Sequence, residues 1–299
     1  MDRNLHSVRA ECTTFPHGPQ FTSKNYVQQD KYSPLARSLS LCHAKSMTTI
    51  SSHDNGMPIW IDVMVETAEQ HHDLRAFFTT LFDWTWDVGG PEMGYYSIAS
   101  HNGAPVLGLG QNEGSHGEIT TYFKSSNIDD DLQKAVELGA SVALPATKVM
   151  DVGTMAVLVD PTGATFGLWQ PGTFEGFGVA YEDNAPGWFD HVSLDPEKAG
   201  QFYADFTEHQ LISPDGEMRI LQNGEQWFAS ISHDQTGEGA KWNPIYVVDS
   251  LERIHETVPR HGGAILLAEM PVPGSAICVF SEPVNGTSWT VMRGGEHPS

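Results

Sequence analysis

The sequence predicts an α+β protein built from two tandem modules, each made of paired βαβββ units. Three repeated features carry that expectation. First, a strand–turn–strand segment occurs twice, as Met155-Ala-Val-Leu-Val-Asp-Pro-Thr-Gly-Ala-Thr-Phe-Gly-Leu-Trp169 and, more degenerately, from Ala276 to Met292. Val157 to Val159 is apolar and β-branched at its ends, Asp160-Pro161-Thr162-Gly163 has turn chemistry, and Thr165 to Trp169 returns as a strand. Second, both copies follow the same upstream order of elements, which points to a duplicated module. Third, each half carries an Asn-Gly hairpin signal, Asn102-Gly103 and Asn223-Gly224.

The elements run in parallel through the two halves. Module one opens with a strand over 58–65 and continues with a helix through 73–82 that ends near Asp83-Trp84. Module two opens with a strand over 187–194, followed by a helix from Asp195 to Phe206. Asp195 suits the N-cap, Pro196 the first helical position, and Glu197 the positive end of the helix dipole. The hairpins come next, around residues 95–108 and 217–229. A further strand and helix then follow: Ile119 to Phe123 with Ile128 to Leu138, and Ile245 to Val248 with Leu251 to Val258. Gly139 and Gly262-Gly263 stop these helices.

Residues 1–56 differ in kind, being polar and without periodicity. They contain six of the 16 Lys/Arg and four of the 38 Asp/Glu, leaving ten basic against 34 acidic groups in the rest of the chain. The net charge of −22 opposes phosphate backbones and anionic lipids, so neither nucleic acid nor membrane is an expected partner. Residues 1–46 are expected to be disordered and to stem from an upstream start codon, with Met47 opening the lead-in to the first strand. The expected divisions are an extension over 1–56, module one over 57–172, a linker over 173–184, module two over 185–294 and a polar tail over 295–299. The three cysteines, Cys12, Cys42 and Cys278, form no disulfide or zinc pattern, and the setting read from them is reducing and cytoplasmic. No apolar run is long enough to span a bilayer.

Several stretches together resemble the vicinal oxygen chelate superfamily, which includes glyoxalase, bleomycin-resistance and extradiol-dioxygenase proteins. They are Trp60-Ile-Asp-Val-Met64, Ala76 to Trp84, Gly103 to Gly110, Met155 to Pro171, and Asp195 to Tyr203. The match is nearest to the two-module glyoxalase-like members, often labelled hydroxylases in antibiotic pathways, and covers nearly all of 57–294. It implies that each module curves its strands into a half-barrel, with helices on the convex side and a ligand cavity on the concave side. It also implies a metal set in the metal-dependent members: a His on the first strand, a His or Glu on the strand before the second helix, and a Glu on the last strand. Carried over residue by residue, these positions are Trp60, Thr120 and Gly167 in module one, and Trp188, Asn243 and Thr290 in module two. None is a His, Asp or Glu, so the expectation is that the family metal site is absent and that no cofactor is held.

Strand alternation then sets what the cavities hold. Trp60 shares a face with Asp62 and Met64, and Trp188 shares one with Asp190 and Val192. Tyr122 follows Thr120 on its face, and Trp169 follows Gly167. Each cavity thus offers aromatic surface and one carboxylate, suited to flat or cationic organic ligands. Asp62 and Asp190 are candidate catalytic groups, either as desolvated bases or as anchors for a ligand hydroxyl or amine; the competing reading is a structurally paired carboxylate. Trp60, Thr120, Tyr122, Trp169, Trp188, Asn243 and Thr290 are the candidate ligand contacts, with core packing as the alternative for the tryptophans. His71-His72 cannot share a metal from adjacent helical positions, and His191 faces away from Asp190, toward the helices.

Three functions follow in order of preference. The first is a metal-free protein that binds a small aromatic or polyketide-like molecule and either sequesters it or carries out modest acid–base chemistry with Asp62 or Asp190. The second is a metal-dependent lyase, isomerase or dioxygenase with ligands elsewhere. The third is a non-catalytic structural or interaction protein. Both a monomer and a homodimer are compatible with two modules in one chain.

Overall fold

The computed structural model describes residues 53–213, 219–234, 237–272 and 275–294. The disorder expected for 1–46 and the tail at 295–299 lie outside these residues. Among the described residues each module forms one eight-stranded sheet.

Module one runs β1 (Pro58–Val65), α1 (Ala68–Phe82), β2 (Thr85–Val88), β3 (Ser97–His101), β4 (Ala104–Gln111), β5 (His116–Lys124), α2 (Ile128–Glu137), β6 (Ser141–Val149), β7 (Gly153–Val159) and β8 (Thr165–Pro171). Module two repeats the order: β9 (Pro186–Ser193), α3 (Pro196–Thr207), β10 (Gln210–Ile212), β11 (Arg219–Asn223), β12 (Gln226–His233), β13 (Lys241–Val248), α4 (Leu251–Arg260), β14 (Ala264–Val272), β15 (Ser275–Ser281) and β16 (Ser288–Arg293). The sheet orders match strand for strand: β2-β3-β4-β1-β5-β8-β7-β6 and β10-β11-β12-β9-β13-β16-β15-β14. In each sheet the first strand of the first unit pairs antiparallel with the first strand of the second, which is how two βαβββ units join.

Local chemistry explains the element ends. Helix α1 starts earlier than the apolar pattern predicts, because Thr67 and Gln70 form a capping box. Asp195 caps α3 through its side chain, with Pro196 in the first turn. Gly139 and Gly262 take positive φ just beyond α2 and α4, which only glycine accepts without strain. The first hairpin turns on Asn102-Gly103, both at positive φ. The second turns one residue later. Asn223 still pairs with Gln226, and Gly224 takes the positive φ.

The outermost strands, β2, β6, β10 and β14, are the elements that alternation does not reveal. Almost all of β6 is exposed, and Pro145 and Pro271 sit within these edge strands, where a missing N–H is tolerated.

The convex faces of the two sheets share one core. Phe123 of β5 packs on Trp242 of β13 with ring centroids 5.2 Å apart, and Phe166 of β8 meets Phe202, Tyr203 and Phe206 of α3. In return, Phe78 of α1 meets Trp289 of β16 at 4.7 Å. Each module's first helix therefore packs on the other module's sheet, and the concave faces point away from the shared core. Among the described residues no helix is long and apolar enough to cross a membrane.

Candidate functional site

Each concave face is built around the central strand pair, and the register defines its middle rung. In module one, Trp60 of β1 pairs with Tyr122 of β5, and Tyr122 with Gly167 of β8. In module two, Trp188 of β9 pairs with Ile245 of β13, and Ile245 with Thr290 of β16. Thr120 and Asn243 lie one rung further on, directly beside Asp62 and Asp190. The two halves thus correspond position for position, with a Trp-x-Asp pair at the centre of each.

In module one the concave face is closed by its own side chains. Trp60 donates its indole N–H to Asp62 Oδ1 at 2.9 Å and approaches the Tyr96 hydroxyl at 2.8 Å. Tyr96 also donates to Asp62 Oδ1, and Tyr122 is a third hydrogen-bond partner of the same carboxylate. Burial pushes the Asp62 pKa up, against the lowering effect of these three donors. Burial and the neighbouring Asp62 charge push both tyrosine pKa values well up. The segment after β8 then covers the cluster. Phe174 packs edge-on against Trp60 with centroids 4.8 Å apart, Phe177 lies 5.6 Å away on the same ring, and Trp169 donates to the Phe174 carbonyl at 3.0 Å. The stretch read as a linker is thus part of the packing of module one.

Two glycines make this arrangement sterically possible. A Cβ at Gly108, paired with Asp62 on β4, would overlap the Tyr96 hydroxyl and Asp62 Oδ1. A Cβ at Gly167 would overlap the Tyr122 ring. Tyr96 was not among the residues singled out from sequence. Its signal was Gly108 and Gly110 inside a strand, where glycine marks a close approach.

Module two places different groups at the same positions. Ser230 and Ser232 of β12 stand where Gly108 and Gly110 stand in module one, and Ser230 pairs with Asp190 as Gly108 pairs with Asp62. Both hydroxyls donate to Asp190 Oδ1, at 2.5 and 2.8 Å, and Trp188 donates to Ser230 Oγ at 2.9 Å. Burial raises the Asp190 pKa against the lowering effect of Ser230, Ser232 and the nearby His191, yet the residue keeps some access to solvent. Around it, Trp188, Ile220, Ile245, Val247 and Met292 form an apolar cluster separate from the main core. Asn243 and Thr290 lie on the same face, half-buried.

His191 points to the convex side, as alternation requires, and is wholly buried. Its Nε2 meets Asp160 Oδ2 at 2.8 Å, and Tyr203 donates to the same oxygen at 3.0 Å. Trp242 in turn donates to the Tyr203 hydroxyl at 2.8 Å. Asp160 Oδ1 accepts from Thr162 N, Thr162 Oγ1, Gly163 N and Ala164 N at 2.7–3.1 Å. Burial alone would raise the Asp160 pKa, but the His191 and Thr162 interactions outweigh it and hold it low. This cluster joins the modules and sits away from both concave faces.

The donor chemistry does not fit the divalent ion bound by metal-dependent members of the resembled family. Indole and glycine offer no ligand, and Tyr122 fills the space that a Gly167 side chain would need. Among the described residues no group of three His, Cys, Asp or Glu is placed to hold a metal.

No protein-family model matches the chain. Among curated proteins, it is 27% identical over 258 residues to the putative glyoxylase CFP32 of Mycobacterium tuberculosis, covering 81% of this chain and 97% of that protein. It is 32% identical over 165 residues to the anthracycline biosynthesis protein DauV of Streptomyces sp. strain C5, covering 50% of this chain and 59% of that one. Among solved structures, it is similar to the 2,3-dioxygenase LapB of Pseudomonas sp. KL28, with a TM-score of 0.56, 12% identity, and coverage of 85% of this chain and 96% of that one. The Mn(II)-bound glyoxalase of Novosphingobium aromaticivorans gives a TM-score of 0.56 at 15% identity, covering 81% and 83% of the two chains. With both sheets, their strand order and these likenesses in agreement, the chain has the two-module vicinal oxygen chelate fold.

Proposed function

We propose that this protein binds a small aromatic, polyketide-like molecule in the module-two cup without a metal ion, using Asp190 as its polar anchor. The observation that carries the reading is the contrast between the two concave faces. Asp62 has three donors, Trp60, Tyr96 and Tyr122, and is buried under Phe174 and Phe177. Asp190 has two described side-chain donors, Ser230 and Ser232, keeps some access to solvent, and lies beside the apolar cluster of Trp188 and Ile245. A flat ring system suits the Trp188 and Ile245 walls, and a ligand hydroxyl suits the Asp190 carboxylate. A carboxylate with an upward-shifted pKa can also take a proton from such a hydroxyl, which supports modest acid–base chemistry. The name of DauV, an anthracycline biosynthesis protein, supports a fused-ring ligand.

The test is titration of tryptophan fluorescence with 1,8-dihydroxyanthraquinone. Saturable quenching at one ligand per chain is expected. Asp190→Asn should weaken it by roughly 10-fold or more, the scale of a hydrogen bond to a charged group. Trp188→Phe should reduce the quenching amplitude. An absence of saturation, or equal affinity in Asp190→Asn, would remove the reading.

A further inference from the structure

We propose that the outer flank of module one carries a second binding pocket, for a small organic carboxylate with an apolar body, and that Arg75 is its cation. A pocket of about 170 Å³ lies beside α1, lined by Ala68, His71, Arg75, Val88, Tyr95 and Gln111. It is separate from both concave faces. Tyr96 projects to the Asp62 cluster, while the preceding Tyr95 lines this pocket on the other side.

Three observations point to an anion. First, the Arg75 Nε is buried and has no hydrogen-bond partner, and the side chain makes no ion pair among the described residues. Arg219, Arg253 and Arg260 each sit against a carboxylate. Second, Arg75 places a positive charge against His71. His71 donates from Nε2 to the Leu109 carbonyl at 3.2 Å, and its pKa is lowered by burial and then by the charges of Arg75 and His72. Glu69 and Asp73 line a different groove, on the flank of α1 shared with His261 and Pro283. Third, the apolar wall is exposed. Val88 is 43% and Tyr95 52% accessible, and Tyr95 is held at φ 59°, a conformation costly for a non-glycine residue.

The chemistry selects the ligand class. The outer edge of the guanidinium, its two terminal nitrogens, presents paired N–H donors that match the two oxygens of one carboxylate. The Tyr95 ring, Val88 and Ala68 would cover the attached apolar group.

Calorimetric titration of the full chain with benzoate tests this. The expected result is saturable binding at one benzoate per chain, with no binding of benzyl alcohol, which has the ring without the charge. Arg75→Gln should weaken benzoate at least about 10-fold, and Arg75→Lys should fall between, because it keeps the charge and loses the paired donors. Tyr95→Ala, at an exposed position, should weaken it as well and carries the test if Arg75→Gln does not fold. Trp188→Phe should leave benzoate affinity unchanged, which separates this pocket from the module-two cup. No saturable binding at millimolar benzoate, or unchanged affinity in both Arg75→Gln and Tyr95→Ala, would overturn the proposal.

Discussion

Gly167 shows how one missing side chain sets the character of a whole face. It stands on the rung that holds Trp60 and Tyr122, and the Tyr122 ring occupies the volume where any side chain at 167 would begin. Gly167→Ala should therefore destabilise the protein by roughly 1–3 kcal/mol through overpacking. Adding Tyr122→Ala should recover part of that loss, because the overlap is removed, and the two changes should be strongly non-additive. Denaturant unfolding of the single and double variants measures both. Equal and additive losses would mean that the ring does not depend on the glycine.

Among the elements, the two turns that first reveal the duplication also show how it has been adjusted. Asp160 closes its turn by accepting from backbone N–H groups as far as Ala164. Glu282 closes the longer second turn by accepting from Val284, Asn285 and Thr287, and a side chain one methylene longer reaches the extra residue. Only Asp160 also has a partner across the core, His191. Hydrogen bonds to a charged group contribute about 1.5–3 kcal/mol each, so Asp160→Asn, which takes the charge from several buried ones, should destabilise by at least about 2 kcal/mol at neutral pH. Because folding lowers the Asp160 pKa, its contribution is full above the unfolded carboxyl value of about 3.9 and is lost as pH falls through the folded value. Unfolding free energies measured from neutral to acid pH should fall less steeply in Asp160→Asn than in the wild type.

Much of this was legible in the sequence, and the omissions have physical causes. Alternation around Trp60-x-Asp62 and Trp188-x-Asp190 identified both concave faces, and the caps at Asp195 and Gly139 placed the helix ends. The edge strands β6 and β14 lack alternation because little of either is buried. The Asp62 cluster was only half readable. Tyr96 is 34 positions away and reaches Asp62 through space that Gly108 leaves open, a relation that no local pattern encodes. The Ser230 and Ser232 donors were likewise invisible until β12 was paired with β9. Asp160 was legible as a turn residue and not as a link between modules, since its second oxygen is used by residues 31 and 43 positions further on.

For the whole molecule, the central expectation is independence from metal. Elemental analysis of protein purified without chelator should find far less than one divalent ion per chain, and EDTA should leave the melting temperature unchanged. Metal near one per chain, with a clear fall in melting temperature on chelation, would require ligands beyond the rungs described above. The shared core makes melting temperature a fair probe of both modules at once, because Phe123, Phe166, Tyr203 and Trp242 tie the two sheets into one packed unit.

That back-to-back packing also bears on the ancestry of the chain. After duplication, a change on either convex face had to suit two sheets at once, whereas a change on a concave face had to suit only its own. The halves were thus constrained together on one side and free to drift apart on the other. Glycines under a tyrosine in one half and serines around an open carboxylate in the other are the differences that such one-sided freedom leaves behind.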